Sequence, residues 1–392
     1  MKITRIETIP LTFPHPKGHR WDKGGIMSHG WDQVIVRVHT DEGISGIGES
    51  YHLKAPETVV AAIENSLAPL VIGADPFDTD QLWTKMFART IQLGAAAIGA
   101  IAGIDTAFWD IKGKVLGLPV YKLLGGAHTK EVPLYVGGHT LGWRDLDNMA
   151  DLVAEARGYY EQGYRAFKLR GGRGYPKKGD VDSVRAMREA FGDGIEILID
   201  VNSEYGEYTA AMRAIRQLDG YNVHWVEDPF RFSIPNNIED MAKLSLNSPV
   251  PIATGGNVFG RVPVKRLMER GGIDYVLSNV AKSGGVTEVR KIITLVEAWN
   301  RKYVPHCDGG LNTLANIHLY ASAPPHVVEN AYMEWDPVWP LADLLTHPPA
   351  VKNGKALLPE RPGFGSDLIA GVEKEFALDR TTWFIQKDLI HA

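Results

Sequence analysis

The chain has 392 residues with 44% hydrophobic content, enough to bury the cores of two domains, and a formal net charge of -5 with acids and bases interspersed throughout. That balance excludes the basic footprint of a nucleic-acid or anionic-membrane binder, and no stretch reaches the about 18 uninterrupted apolar residues of a membrane-spanning helix. The single cysteine, Cys307, excludes an internal disulfide, and the opening MKITRIETIPLTF lacks the apolar core of a signal peptide, so the expectation is a cytoplasmic protein whose partners are small molecules.

The first 50 residues alternate as strands in KITRIETIPLTF, DQVIVRVHT and ISGIGES, with a Gly-, Pro- and His-rich loop near 14–30 between the first two and another loop near 50–56. Residues 56–124 then repeat apolar positions at helical spacing, which predicts an α+β domain over 1–127. From Val132 onward short apolar runs alternate with amphipathic stretches: VPLYVGG, AFKLRGG, EILIDVN, HWVEDPF, PIATGGN, YVLSNVA, YVPHCDG and ENAYMEW. Eight strands separated by helices predict a closed α/β barrel over 128–340 rather than an open doubly wound sheet. The Pro- and Gly-rich residues 341–392 are expected to return to the first domain.

In such a barrel the C-terminal strand ends converge on one mouth. Here they carry Lys168 and Arg170, Asp200 and Asn202, Glu227 and Asp228, Gly255, Gly256 and Asn257, Asn279 and Lys282, His306, and Glu334. Strand alternation places Lys168 with Arg170 on one side, and Asp200 with Asn202. The carboxylates Asp200 and Glu227 are hard oxygen donors suited to Mg²⁺; the competing reading is a salt-bridge network with Lys168 and Arg170. His306 has the titration range of a general acid or base. Its neighbour Cys307 faces the opposite way and reads as packing, as do Trp109, Trp225 and Trp335. The segments GGRG (171–174) and SGG (283–285) lack a nucleotide-loop context and read as tight turns.

With AIAGIDTAFWDIKGKVLGLPVYKLLGG (100–126), KLR, IDVNSEY, WVEDP, KSGGVTE and PHCDGG in this order, the chain resembles the enolase superfamily, in its mandelate racemase-like branch, over essentially its whole length. The resemblance implies a modified (β/α)7β TIM-like barrel with an N-terminal α+β capping domain whose loops close the mouth. It implies Mg²⁺-assisted removal of the proton alpha to a carboxylate, and self-association into a homo-oligomer. Carried over by position, Asp200 and Glu227 resemble metal ligands, Lys168 and Arg170 the second-strand Lys-x-Lys pair, and Asn202 a substrate contact; Glu334 at its strand end and His29 and Trp21 in the loop near 14–30 are further candidates for substrate binding.

Three positions depart from the family pattern. Gly256 stands where a third metal carboxylate is expected, with Asn257 as a possible neutral substitute. Asn279 replaces the acidic partner of His306. Arg170 replaces a lysine base and stays protonated. Counting Asp200 and Glu227 against Lys168 and Arg170 leaves little charge to attract Mg²⁺, so the metal is expected to bind weakly or not at all. The expected function is dehydration of an acid sugar or hydroxy acid, with Lys168, Arg170, His306 and Asn279 catalytic. The alternatives are racemisation or epimerisation of the same class, a catalytically silent ligand-binding relative, or chemistry relocated to His19, His29 or His52.

Overall fold

The alternating runs of the first 50 residues pair as an antiparallel sheet of β1 (Ile3–Pro14), β2 (Gly30–Thr40) and β3 (Ser45–Ser50), with β2 in the middle. The structure is a computed structural model that describes residues 1–16, 21–23, 26–28, 30–52, 55–137, 141, 148–172, 178–230, 238–270 and 272–385. Helices α1 (Thr79–Phe87) and α2 (Ala95–Leu116) pack on this sheet's side of the molecule. The small residues of α2 have a steric reason: a Cβ on Gly103 would fall 2.7 Å from Cγ2 of Val36, so the helix can lie directly on the strands only as glycine. Gly117, at φ 65°, ends α2 in the left-handed region where a side chain is disfavoured. The backbones of Trp21–Lys23, Ile26–Ser28 and Trp383–Ile385 form a separate small antiparallel sheet.

Eight parallel strands follow, with a helix in each interval: β4 (Glu131–Val136), α3 (Met149–Glu161), β5 (Ala166–Arg170), α4 (Lys178–Phe191), β6 (Glu196–Asp200), α5 (Tyr208–Ile215), β7 (Val223–Glu227), α6 (Ile238–Asn247), β8 (Ile252–Thr254), α7 (Arg261–Glu269), β9 (Tyr275–Ser278), α8 (Val286–Ala298), β10 (Lys302–Pro305), α9 (Asn312–Ser322) and β11 (Met333–Trp335). Their order in the sheet is β11, β4, then β5 through β10 in sequence. The strands are buried and apolar along most of their length, as parallel strands covered by helices must be. Among the described residues no backbone ladder joins β10 to β11. The two ends are instead tied by a side chain, because Oε2 of Glu334 on β11 accepts from the Cys307 amide at 3.1 Å, just beyond β10. The eight strands and seven helices of the expected (β/α)7β pattern are therefore present, curled into a cup with one unpaired seam.

The cap docks on this cup through buried polar contacts. Trp83 Nε1 donates to the Gly284 carbonyl at 2.7 Å, Trp109 Nε1 to the Thr287 hydroxyl at 2.8 Å, and Oδ2 of Asp105 accepts from the Thr287 amide at 2.8 Å. Glu49 Oε2 accepts from the Asn312 amide at 3.0 Å, where α9 begins. Residues beyond 341 also reach the cap: Asp367 pairs with Arg37 at 2.7 Å and Lys114 at 3.0 Å, and Phe376 stacks on Phe13 with centroids 4.4 Å apart. No helix among the described residues is long and apolar enough to cross a membrane. Cys307 is buried and unbridged, with its Sγ 3.3 Å from the Thr313 hydroxyl.

Candidate active site

The register of the parallel ladder sets three sides of the mouth: Arg170 lies opposite Asp200 and Asp200 opposite Glu227, while Glu334, opposite Tyr135 on β4, joins them through its contact with Lys168. Lys168, one residue pair deeper, is fully buried. Its ammonium reaches Glu334 at 2.6 Å, Glu227 at 3.3 Å and Asp200 at 3.7 Å, and donates to the Tyr135 hydroxyl at 3.2 Å. Arg170 pairs with Asp200 and lies 3.9 Å from Glu334.

The structure thus adds Glu334 to the charge count, giving three carboxylates against two cations. The earlier balance of two against two was short by one because β11 lies far along the chain and meets β5 only through the cup. Burial opposes any charge here, and the titration of each group follows from how well it is met. Glu227 is pushed well above the ordinary carboxylate range, chiefly by desolvation. Glu334 is held below it: burial raises it, but Lys168, His306 and Arg170 more than compensate. Lys168 is raised in spite of its burial, because Glu227 and Glu334 face it, and it is therefore an ammonium at neutral pH rather than a base.

His306 stands at the edge of this cluster, its Nε2 3.6 Å from Oε2 of Glu334. Its pKa is lowered from 6.5, first by desolvation, so the ring is neutral near pH 7. On the other side, Nδ2 of the fully buried Asn279 lies 3.0 Å from Nδ1 of His306 and donates to Asp308 at 2.8 Å. Lys282 completes the row through Asp308 at 3.0 Å, with its ammonium 4.6 Å from the centre of the Tyr51 ring of the cap.

The fifth strand ends in glycines for two physical reasons. Gly255 has φ 124°, and a Cβ there would fall 2.5 Å from the Leu277 carbonyl oxygen. A Cβ on Gly256 would meet Cδ2 of His306 at 2.7 Å and Nε2 at 3.1 Å, so the imidazole fills the space that a side chain from position 256 would enter.

These facts bear on Mg²⁺, the metal generally used by enolase-superfamily sites. Asp200 and Glu227 are the residues that would hold it, yet both already face the Lys168 ammonium, and Asp200 faces Arg170 as well. Position 256 offers no donor. Asn257 is turned away, its amide nitrogen donating to Asp228 at 3.3 Å and its oxygen accepting from Lys282 at 3.4 Å. Among the described residues no three His, Cys, Asp or Glu side chains are grouped as a metal site. The donor set does not fit a tightly held divalent ion, because the cation at its centre is already supplied by Lys168.

Other expectations divide. Asn202 does not share a strand face with Asp200: β6 ends at Asp200, and Asn202 has a left-handed φ of 46°. Its amide donates to Oδ1 of Asp200 at 2.9 Å, while its side-chain Nδ2 is buried without a hydrogen-bond partner among the described residues. His52 is buried beside Tyr51, with ring centroids 5.7 Å apart. His19 and His29 lie outside the described residues, and of Trp21 only the backbone is described. Tyr135 and Asp308 were not singled out from the sequence. Asp308 follows the strand end at Pro305, where alternation no longer applies, and Tyr135 carried no signal beyond its place near the end of an apolar run.

Residues 151–371 match the family described as enolase C-terminal domain-like, and residues 27–125 the mandelate racemase / muconate lactonizing enzyme N-terminal domain. The chain is 31% identical over 401 residues to D-galactonate dehydratase of Ralstonia pickettii, covering 98% of this chain and 96% of that protein. It is 29% identical over 356 residues to arabinonate dehydratase of Saccharolobus solfataricus, covering 90% and 92%. The fold superposes with a TM-score of 0.85 on a racemase from Streptomyces coelicolor A3(2) with bound magnesium, at 29% identity and coverage of 96% and 100%.

Proposed function

Because the chain belongs to the mandelate racemase and muconate lactonizing enzyme family of the enolase superfamily, we propose that it removes water from an acid-sugar or hydroxy-acid carboxylate. In that reaction a base takes the C2 proton, His306 as acid protonates the C3 hydroxyl so that it leaves as water, and the resulting enol takes a proton at C3 as its hydroxyl loses one, giving a 2-keto-3-deoxy acid. One observation carries the reading: two buried cations on one strand, Lys168 and Arg170, face the mouth beside His306, where a substrate carboxylate gains negative charge as its alpha proton leaves. Arg170 offers the planar fork suited to a carboxylate, and the unpartnered Nδ2 of Asn202 offers a donor to a substrate oxygen. The cap, taken as residues 1–127, closes the mouth, and the chain is taken to assemble with copies of itself, which sedimentation tests.

The deciding experiment incubates the protein with a panel of aldonates in deuterated water, with Mg²⁺ in one arm and a chelator in the other. Formation of a 2-keto-3-deoxy acid in both arms is expected. Deuterium entering C2 without loss of water would make the enzyme an epimerase or racemase. A second reading, a silent carboxylate-binding relative, is favoured by one observation: both nitrogens of the second-strand pair, Lys168 and Arg170, are held as cations, leaving no amine base there. A panel that raises the melting temperature but yields neither product nor exchange would establish that reading and overturn dehydration.

A further inference from the structure

We infer that Asn279 holds His306 as the tautomer protonated on Nε2, so that this histidine meets a bound substrate as a hydrogen-bond donor and not as a proton acceptor. The orientation of the Asn279 amide is fixed by its surroundings. Its Oδ1 faces the backbone amides of Ala281 at 2.9 Å and Lys282 at 3.2 Å, two groups that can only donate. Its Nδ2 faces a carboxylate oxygen of Asp308 at 2.8 Å, which Lys282 in turn holds at 3.0 Å. A flipped amide would set oxygen against carboxylate on one side and nitrogen against two N–H groups on the other.

With the amide so placed, one Nδ2 hydrogen goes to Asp308 and the other points at Nδ1 of His306, 3.0 Å away. Nδ1 must therefore be the bare nitrogen, and the one proton of the neutral ring sits on Nε2. An aspartate at position 279 would do the reverse, accepting a hydrogen bond from a protonated Nδ1 and leaving the Nε2 lone pair available as a base. Among the described residues Nε2 makes no hydrogen bond: Glu334 is 3.6 Å away, too far for one, and Gly256 puts no side chain over that edge of the ring. The Nε2 hydrogen is thus available to an oxygen of a ligand bound in the cup, as in sites where a neutral imidazole polarises a carbonyl. Asn279 is a positioning residue, acting through the ring it orients.

The inference rests on the reading of this cup as the substrate site, but its test needs no substrate. In protein labelled with ¹⁵N-histidine, long-range ¹H–¹⁵N correlation at neutral pH reports which ring nitrogen carries the proton, and His306→Gln identifies the signal among the 13 histidines. The expected spectrum shows a protonated Nε2 and a bare Nδ1, and Asn279→Asp moves the proton to Nδ1. A bare Nε2 or a doubly protonated ring in the unmodified protein overturns the proposal, and that spectrum decides alone should Asn279→Asp fail to fold. A variant that folds and leaves the tautomer unchanged removes Asn279 from the role. A catalytically silent protein would still give the expected spectrum, so failure of the functional reading and failure of this one are told apart.

Discussion

Gly256 and His306 share one space: a Cβ on the glycine would lie 2.7 Å from Cδ2 of the imidazole. Gly256→Ala must therefore rotate the ring and weaken its 3.0 Å contact with Asn279. Chemical denaturation should show a loss of about 1–3 kcal/mol, the usual cost of overpacking. The same change made in a His306→Ala background should cost almost nothing, and a non-zero coupling in this double-mutant cycle is the signature. Equal costs in both backgrounds would mean that the clash is relieved elsewhere.

Lys168 is the cation at the centre of three carboxylates. Replacing it with methionine leaves Arg170 to face them alone, and a loss of about 3–5 kcal/mol is expected for a broken buried pair. Thermal melts with and without millimolar MgCl₂ should show no metal-dependent rise in the unmodified protein and a clear rise in Lys168→Met. The rise would amount to about 2.7 kcal/mol at 100 times the dissociation constant. The opposite pattern would show that the carboxylates recruit Mg²⁺ with the lysine in place.

Arg170→Lys should behave as a loss rather than as a conservative change. One ammonium cannot span Asp200 and Glu334 and still present a fork to a ligand. A tenfold weaker hold on a carboxylate ligand, about 1.4 kcal/mol, is expected by calorimetry, with KM rising by a similar factor if turnover is present. An unchanged affinity would take Arg170 out of ligand binding.

Glu49, buried between cap and barrel, has its carboxyl pushed up to about 8 by desolvation, from 4.5. The folded state therefore keeps a proton that the unfolded chain has already lost. Stability from this group is fully present below pH 4.5 and declines as pH rises towards 8, on the order of 5 kcal/mol in all. His318, with its pKa lowered to about 4 by burial, works in the other direction as pH falls from 6.5. Denaturation at pH 5.5 and pH 8.5 should show Glu49→Gln losing much less stability than the unmodified protein over that interval. Parallel slopes would mean that Glu49 is ionised in the fold.

The repeated apolar runs of the barrel were legible because a parallel strand covered on both faces needs them, and the chemistry at their ends followed from the convergence of the strands. What could not be read were relations between distant segments. Glu334 joins Lys168 across the β4–β11 pairing, and no local pattern announces that the two share a charge. Alternation placed Asn202 beside Asp200, but it applies only within a strand, and here the strand stops at Asp200. The identities Gly256 and Asn279 were legible as departures from a family pattern. That His306 occupies the space of the first and takes its orientation from the second follows only from the folded geometry.

The contacts of Asp367 with Arg37 and Lys114, of Phe376 with Phe13, and of Arg380 with Asp32 give the cap an order of assembly. Its first strands leave the ribosome more than three hundred residues before the segment that clamps them. Until then Phe13 lacks the Phe376 ring that stacks on it and Asp32 the counter-charge of Arg380. The domain that begins first is therefore among the last to be finished, and the barrel can complete its own strands while the cap waits for that clasp.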